Sequence, residues 1–228
     1  ENHRSAKTAT TYGVGQMITY ALDKGYRRFL LTAGGSATNY GGTGMFCALG
    51  CKFYRADGEC FVPTGATLGD IEKIDVSELD GRLSECSFTV ATDVKNPLCG
   101  SDGATYIYGP QKGVTDEMKE SVDQAMRNYA SVTAKATGTD YSKASGAGAA
   151  GGMGFAFLSY LNATLTPGIE LILDAVKRLR EAKPNCFIAC DIIAGFPGET
   201  DEDFADSMKL CQECDFTWVH VFPYSERS

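Results

Sequence analysis

The sequence predicts an α/β fold, and three patterns lead to this class. An apolar run at residues 29–33 follows a segment of helical periodicity at residues 14–24, which predicts a helix and then a strand. Strand patterns at residues 187–194 and 216–222 are separated by a helical pattern, an order that favours parallel pairing. The pair Asp57-Gly58 between short apolar runs is typical of a β-hairpin and predicts a small antiparallel unit as well.

The first helix is predicted from Val14 to Lys24, and Gly25 is expected to end it. Five apolar residues recur at helical spacing and are expected on its buried face: Val14, Met17, Ile18, Ala21 and Leu22. A strand over residues 29–32 and a short helix over residues 45–49 follow.

The middle of the chain contains one strand and one long helix. Ser87 to Thr92 alternates polar and apolar residues, which predicts a half-buried strand. This strand would deliver Asp93 and Asn96 to its end, where α/β folds often bind ligands. Thr115 is expected to cap a helix that extends to Ala136 and ends at Gly138.

The last sixty residues repeat the helix and strand patterns. Thr166-Pro167 opens a helix that extends to Ala182, and Phe187 to Ala194 is predicted to be a fully buried strand. Gly195 to Gly198 is predicted to be a turn. Thr200 and Asp203 are spaced as a capping box for a helix that ends at Cys214, before the last strand.

The segment from Gly34 to Gly42, directly after the first strand, is a small polar loop that leads into the short helix. Its glycines let backbone N–H groups approach a ligand, and Ser36, Thr38 and Asn39 add hydroxyl and amide donors. The N-terminus of the following helix favours negative charge. We therefore predict a bound phosphate or carboxylate, with an ordinary strand-to-helix turn as the alternative.

A second glycine-rich segment, Gly146 to Gly151, has the spacing of the dinucleotide-binding fingerprint. No strand is predicted before it, so we reject a dinucleotide site. The segment serves either tight helix packing or the lining of a ligand cleft with backbone donors, and the sequence leaves both interpretations open.

Composition and charge limit the function classes. Hydrophobic residues make up 43% of the chain and charged residues 22%, which is typical of soluble globular proteins. The net charge of -8, with no basic stretch beyond Lys177 to Arg180, argues against a nucleic-acid partner. No apolar stretch approaches the ~20 residues of a membrane helix. The absence of an export signal and the odd number of cysteines, nine, favour a cytoplasmic protein, and the missing first Met favours a fragment.

Cysteine spacing raises the alternative of a metal site. Four cysteines are spaced like zinc ligands: Cys186, Cys190, Cys211 and Cys214. Burial in an apolar run and on a helical face explains them equally well. Cys47 and Cys51 lack the third cysteine of an iron–sulfur triad, because Tyr54 stands in its place. We therefore predict no metal held by cysteines.

Six motifs between residues 10 and 176 stand in the register of one known family. They are Thr11-Tyr12-Gly13-Val14-Gly15, Gly34-Gly35-Ser36-Ala37-Thr38-Asn39, Asp93-Val94-Lys95-Asn96-Pro97-Leu98, Gly109-Pro110-Gln111-Lys112-Gly113, Gly146 to Gly152, and Thr166-Pro167-Gly168-Ile169-Glu170. This segment resembles the bacterial glycerate kinase family. The resemblance implies a flavodoxin-like parallel-sheet part with an inserted, restriction-endonuclease-like α/β domain, and an active site between them. It also implies ATP-dependent phosphorylation of D-glycerate to phosphoglycerate.

The end of the chain resembles a different family. Asp191 to Phe204 and His220 to Ser225 look like the second half of the radical-SAM barrel of methylthiotransferases. The join lies near Val176, inside one continuous helical pattern. We therefore expect a chimera whose kinase domains are incomplete or rearranged. Its expected parts are residues 1–52 of the flavodoxin-like domain, an inserted domain at 53–165, and a helix and β-α-β tail at 166–228 that is radical-SAM-like from residue 177.

The resemblance and the demands of phosphoryl transfer together suggest the site residues. Transfer requires neutralisation of the negative charge on the moving phosphoryl group and an oriented hydroxyl nucleophile. Lys112 would supply the charge, and Asp93 would bind Mg²⁺ or accept the hydroxyl proton. The predicted phosphate- and substrate-binding residues are Gly34, Gly35, Ser36, Thr38, Asn39, Asn96 and Gln111. The expected ligands are ATP, Mg²⁺ and glycerate; neither a nucleic acid nor a membrane is expected, and the oligomeric state is not predicted.

Tyr40 departs from the kinase pattern, because the family usually has Asp after Thr-Asn. An N-terminal portion and a C-terminal acidic, glycine-containing segment of that family are also missing, as is the cysteine triad of the barrel family. We therefore expect a kinase impaired by truncation and by Tyr40. The alternatives are a non-catalytic chimeric scaffold and a fragment of a methylthiotransferase-like radical-SAM protein.

Overall fold

A computed structural model describes residues 9–195 and 197–225 of the chain. The chain divides into two compact units between Thr166 and Pro167. The first unit contains two sheets and the second contains one. The finer division predicted at residues 52 and 165 stays a prediction.

The described residues form seven α-helices, three short 3₁₀ helices and eight strands. The α-helices are α1 (Tyr12–Asp23), α2 (Thr43–Ala48), α3 (Ala104–Tyr108), α4 (Asp116–Thr137), α5 (Ala149–Leu161), α6 (Gly168–Ala182) and α7 (Asp201–Cys214). The strands are β1 (Arg28–Thr32), β2 (Lys52–Tyr54), β3 (Cys60–Phe61), β4 (Lys73–Asp75), β5 (Ser87–Ala91), β6 (Thr164–Thr166), β7 (Ala189–Ala194) and β8 (Trp218–Pro223). None of the helices described is long and apolar enough to cross a membrane.

A parallel sheet in the order β1, β5, β6 is the frame of the first unit. Phe88 and Val90 of the central strand are buried, which confirms the predicted alternation. The ring of Phe88 stacks on Phe29 of β1 with 4.8 Å between the ring centroids. Strand β6 was not predicted, because three residues are too few to establish an alternation. Since the strands are parallel, the loops after β1 and β5 leave the sheet at the same edge.

The predicted hairpin is confirmed in the second sheet of this unit. Strands β2 and β3 pair antiparallel, with Phe53 opposite Phe61. The turn uses Gly58 at a φ of 85°, and the Asp57 carboxylate accepts a hydrogen bond of 2.9 Å from the backbone N–H of Glu59. Strand β4 pairs with the other side of β2 and completes the order β3, β2, β4.

Helices α1 and α2 pack closely through a glycine. A methyl group at Gly15 would lie 2.3 Å from the Met45 carbonyl oxygen and 2.7 Å from the Ala48 Cβ. Ile18 is buried on this face, as predicted, but the expectation that Met17 is buried is wrong, since it is 72% exposed. The face of α1 that contacts α2 includes Gly15 instead of Met17, because the absence of a side chain at Gly15 allows the two backbones to approach closely.

Helix α4 begins and ends as predicted, and it contacts both α5 and the loop before α2. Thr115 is its N-cap, and Gly138 ends it in the left-handed conformation with a φ of 84°. Tyr129 is fully buried, and its ring lies edge-on to Phe155 of α5 with 5.5 Å between centroids. Its hydroxyl donates a 3.1 Å hydrogen bond to the carbonyl of Gly41, so helix α4 also fixes the loop before α2.

The second unit is a parallel pair of strands with two helices. The predicted parallel pairing of β7 and β8 is confirmed, and so is the capping box of Thr200 and Asp203. The expectation of a fully buried strand is wrong, because Phe187 is 68% exposed and β7 alternates between exposed and half-buried residues. A continuous apolar run is buried only where both faces of its sheet are covered. The predicted turn at 195–198 includes Phe196, which lies outside the described residues.

Candidate anion-binding site

The loop after β1 lines a cavity of about 430 Å³ in the first unit. Val94, in the segment after β5, lines the same cavity, as expected for loops that leave a parallel sheet at one edge. The described residues that line it are Ala33, Gly34, Gly35, Ser36, Ala37, Val94, Tyr108, Gln111, Lys112 and Ala150. The structure therefore brings together five of the predicted site residues: Gly34, Gly35, Ser36, Gln111 and Lys112.

The glycine loop presents its backbone to open space. A methyl group built on Gly34 or Gly35 would meet no atom within 4 Å, and Gly35 has a φ of 65° that favours glycine. Among the described residues, no hydrogen bond is donated by the backbone amides of Gly34, Gly35 or Ala37. A run of unpaired amides beside a cavity is a nest for an anion.

Lys112 places a buried cation in the same cavity. Its side chain is on a 3₁₀ turn, Pro110–Lys112, and the residue is only 5% exposed. The Nζ atom donates a 2.9 Å hydrogen bond to the Thr38 carbonyl, and within the described part of the chain no carboxylate forms an ion pair with it. Burial lowers the pKa of Lys112 from 10.5 to about 8, so the group is still mainly protonated at neutral pH. Among the residues described, this charge has no counter-ion, and an anionic ligand would provide one.

The polar side chains of the loop make internal contacts, and among their described atoms only Asn39 Oδ1, which can accept but not donate, is buried without a partner. Ser36 Oγ accepts a hydrogen bond from the backbone N–H of Thr38 at 3.2 Å and donates to the Ala150 carbonyl at 3.1 Å. Thr38 and Asn39 are buried and do not line this cavity. The Asn39 amide donates to the Thr105 hydroxyl at 3.1 Å. The anion-binding capacity of the loop therefore lies in its backbone.

Tyr40 lies in the core of the unit, not in the lining of the cavity. Its hydroxyl forms hydrogen bonds with the backbone N–H of Thr11 and, at 2.9 Å, with the Thr11 hydroxyl. The Thr11 hydroxyl also accepts a 3.0 Å hydrogen bond from the backbone N–H of Met45. Tyr40 thereby connects the start of α1 to α2.

Asp93 and Asn96 lie beside the cavity but outside its lining. Asp93 is exposed and precedes the lining residue Val94. The Asn96 side chain forms two hydrogen bonds of 2.7 Å: its nitrogen donates to the backbone carbonyl of Asp102, and its oxygen accepts from the hydroxyl of Tyr108. Its side chain thereby contacts the lining residue Tyr108.

Sequence reasoning did not assign five of the lining residues to the site: Ala33, Ala37, Val94, Tyr108 and Ala150. Tyr108 directly precedes the predicted motif Gly109 to Gly113, but its bond to Asn96 joins residues twelve positions apart, which no local pattern reveals. Ala150 opens a left-handed turn with a φ of 52°, which is unusual for a residue with a side chain. Its position inside the glycine-rich segment was the only available signal.

The glycine-rich segment has both of the roles that the sequence left open. A methyl group at Gly148 would lie 2.4 Å from the Pro97 carbonyl oxygen, and one at Gly151 would lie 2.0 Å from that of Thr38. These two glycines allow tight packing, whereas Ala150 between them lines the cavity. The close approach of Gly151 places the start of α5 directly against the anion loop.

None of the described residues that line the cavity has a carboxylate side chain. In residues 9–195 and 197–225, no three His, Cys, Asp or Glu side chains are grouped as a metal site requires. Since Mg²⁺ is usually held through one or two carboxylates together with substrate phosphates, the lining does not fit a magnesium ion held by the protein. The donors of the cavity fit a phosphate or carboxylate group instead.

A sequence model of the glycerate kinase family matches residues 1–201. This chain belongs to the glycerate kinase family. The glycerate kinase of Bacillus subtilis is 45% identical over 173 residues, which are 76% of this chain and 45% of that protein. A crystal structure assigned to glycerate kinase 2 of Salmonella typhimurium LT2 matches with a TM-score of 0.82 and 33% identity, over 98% of this chain and 64% of that one.

Family membership confirms the coarse fold class, a mixed α/β protein with a parallel sheet. The flavodoxin-like and restriction-endonuclease-like assignments of its parts stay predictions. The chain spans about half the length of the curated family members that it matches.

The C-terminal part has a second, short similarity. The threonylcarbamoyladenosine tRNA methylthiotransferase MtaB of Treponema pallidum is 52% identical over 56 residues, which are 25% of this chain and 12% of that protein. The glycerate kinase model continues to residue 201, beyond the predicted join near Val176. A fusion of two families therefore stays a prediction.

Proposed function

We propose that this chain is a phosphotransferase of the glycerate kinase type, which transfers a phosphoryl group from ATP to D-glycerate. The observation that carries the proposal is the buried Lys112 cation beside the unpaired amides of Gly34, Gly35 and Ala37. Family membership supports the same activity.

Phosphoryl transfer asks little covalent chemistry of the protein, and its main requirements are positioning and neutralisation of charge. Fixed N–H donors and a cation in a partly closed cavity stabilise the negative oxygens of the phosphoryl group more strongly than water does. The loop amides and Lys112 are such donors, and Thr38 keeps Lys112 in place through its carbonyl. A carboxylate in the lining would repel the phosphoryl group, and the described lining residues include none.

The remaining site residues have the following proposed roles. Gln111 lines the cavity and orients the substrate. Asp93 is the candidate acceptor of the glycerate hydroxyl proton, since it directly precedes the lining residue Val94. Thr38 and Asn39 act indirectly, by fixing the loop. Since the lining does not fit Mg²⁺, no step is assigned to that ion, and ATP is proposed as phosphate donor from family membership.

A coupled assay of ADP release with D-glycerate and ATP tests the proposal on the full chain. We expect turnover that depends on glycerate and falls by about a hundredfold in Lys112→Ala, because the variant loses a charge that stabilises the transition state. Lys135→Ala is the matched control, since Lys135 is exposed and lies outside the cavity lining. Absence of glycerate-dependent turnover in the unaltered chain, or full activity in Lys112→Ala, would contradict the proposal.

A further inference from the structure

Tyr108 contributes an oxygen whose hydrogen-bonding role is fixed by its neighbours. Its hydroxyl lies 2.7 Å from Asn96 Oδ1, and Asn96 Nδ2 lies 2.7 Å from the carbonyl oxygen of Asp102. A carbonyl oxygen can only accept a hydrogen bond, so the Asn96 nitrogen must face Asp102. The Asn96 oxygen must then face Tyr108, and the phenol must donate its proton to it.

Because its proton is committed to Asn96, the Tyr108 oxygen can only accept a hydrogen bond from a ligand. Partial burial raises the pKa of Tyr108 above its usual value of 10, so the phenol keeps that proton at neutral pH. Tyr108 lines the same cavity as Lys112 and the loop amides. The cavity therefore combines groups that only donate, the amides and Lys112, with an oxygen that accepts.

A ligand that satisfies both kinds of group has an anionic group and a separate hydroxyl. We propose that Tyr108 accepts a hydrogen bond from a hydroxyl of the bound acid, and that Asn96 positions it, so that the cavity selects hydroxy acids over acids without that hydroxyl. This inference rests on the proposed function, because it names the feature by which the same cavity chooses its acceptor substrate. A site that recognises a hydroxyl rejects the analogue lacking it, since its own polar group is then left unpaired.

Calorimetric titration with D-glycerate and with propionate, which has no hydroxyl group, measures this selection without requiring turnover. The unaltered chain is expected to prefer glycerate. In Tyr108→Phe, affinity for glycerate should fall by about tenfold, the usual effect of one lost hydrogen bond, while affinity for propionate stays unchanged. A purely structural role for the Tyr108 ring would leave the ratio of the two affinities unaltered.

Tyr106→Phe is a matched control in the same helix. The Tyr106 hydroxyl donates a 2.8 Å hydrogen bond to Glu120 and lies outside the cavity lining, so this variant should keep the preference for glycerate. Asn96→Ala should reduce the preference as Tyr108→Phe does. The double variant should be no worse than Tyr108→Phe alone, because Asn96 acts through Tyr108.

The outcomes separate this inference from the proposed function. Glycerate binding with an unchanged preference in Tyr108→Phe would overturn the role of Tyr108 and leave the kinase proposal intact. Absence of glycerate binding to the unaltered chain would overturn both.

Discussion

The two units contain the same local elements but differ in how they bury them. In the first unit, the central strand β5 buries Phe88 and Val90 completely or nearly so, under α5 and beside β1. In the second unit, strand β7 has the same parallel pairing, yet Ile193 is 59% exposed. Of the buried apolar residues described, only Val176 and Cys214 belong to the second unit.

This difference shows that sequence patterns for helix capping and strand pairing do not determine which side chains are buried. In the second unit, backbone hydrogen-bonding groups are paired in a capping box and in a ladder of six residue pairs between the two strands. Its large exposed apolar side chains are Ile169, Ile172, Leu179, Phe187, Ile193, Phe204, Met208, Trp218, Val221, Phe222 and Tyr224. Capping and strand pairing depend on neighbouring residues, whereas burial depends on what covers the faces of the sheet.

The largest effect expected is that of a core truncation in the first unit. Phe155→Ala removes a fully buried ring that packs against Tyr129, and should lower the free energy of unfolding by about 3–5 kcal/mol. The same truncation in the second unit, Phe187→Ala, should change it by less than about 0.5 kcal/mol, since the ring is exposed. Urea unfolding followed by far-UV circular dichroism measures both. Equal effects would show that the contrast between the units is wrong.

Glycine replacements separate crowding from backbone strain. Gly151→Ala combines a φ of 71° with a contact of 2.0 Å to the Thr38 carbonyl, and should cost about 3 kcal/mol from strain and overpacking together. Gly198→Ala in the second unit has a φ of 91° and no atom within 4 Å, so only strain remains, about 1 kcal/mol. Urea midpoints give both values. A Gly198 variant as unstable as the Gly151 variant would mean that the second unit is packed around that turn.

Loss of a helix cap is expected to destabilise the second unit more than the first, the opposite of the core and glycine replacements. Thr200→Ala removes a capping box and should destabilise the second unit by about 1 kcal/mol. Thr115→Ala should cost less, because the Thr115 side chain makes no capping hydrogen bond to the backbone of α4. The only tryptophan of the chain, Trp218, is in β8, so its fluorescence follows unfolding of the second unit. A larger loss in Thr115→Ala would contradict the account of the caps.

A rise of stability at alkaline pH is also expected. Burial lowers the pKa of Lys112 to about 8, while the unfolded chain keeps the proton up to about 10.5. Between these values the unfolded state binds more protons, so the cost of the buried charge is present below pH 8 and is relieved as the pH rises. The difference in unfolding free energy between Lys112→Met and the unaltered chain should therefore shrink from about pH 8 to about pH 10. A constant difference would mean that Lys112 keeps its ordinary pKa.

The sequence predicted those parts of the fold that depend on neighbouring residues. The hairpin at Asp57-Gly58, the ends of α4 and the capping box of α7 all follow from short patterns. Strand β6 escaped prediction, because its place is determined by pairing with β5, which is more than seventy residues away. The burial of Phe187 to Ala194 was predicted wrongly, because an apolar run does not show whether other elements cover it.

The candidate site was predictable in its composition but not in its geometry. The family resemblance and the demands of phosphoryl transfer assigned Gly34, Gly35 and Lys112 to one site, and these residues line one cavity. The burial of Lys112 and its bond to the Thr38 carbonyl join residues 74 positions apart, so no spacing in the chain indicates them. The commitment of the Tyr108 proton to Asn96 depends likewise on the fold.

Binding of inorganic phosphate to the full chain, measured by calorimetry at neutral pH, tests the central claim that Lys112 and the loop amides form an anion site. We predict binding in the unaltered chain and in Lys135→Ala, and a loss of at least about tenfold in Lys112→Met. Circular dichroism would show that Lys112→Met is folded, as expected when a buried charge is replaced by an apolar side chain. Equal phosphate affinity in Lys112→Met and the unaltered chain would contradict the claim.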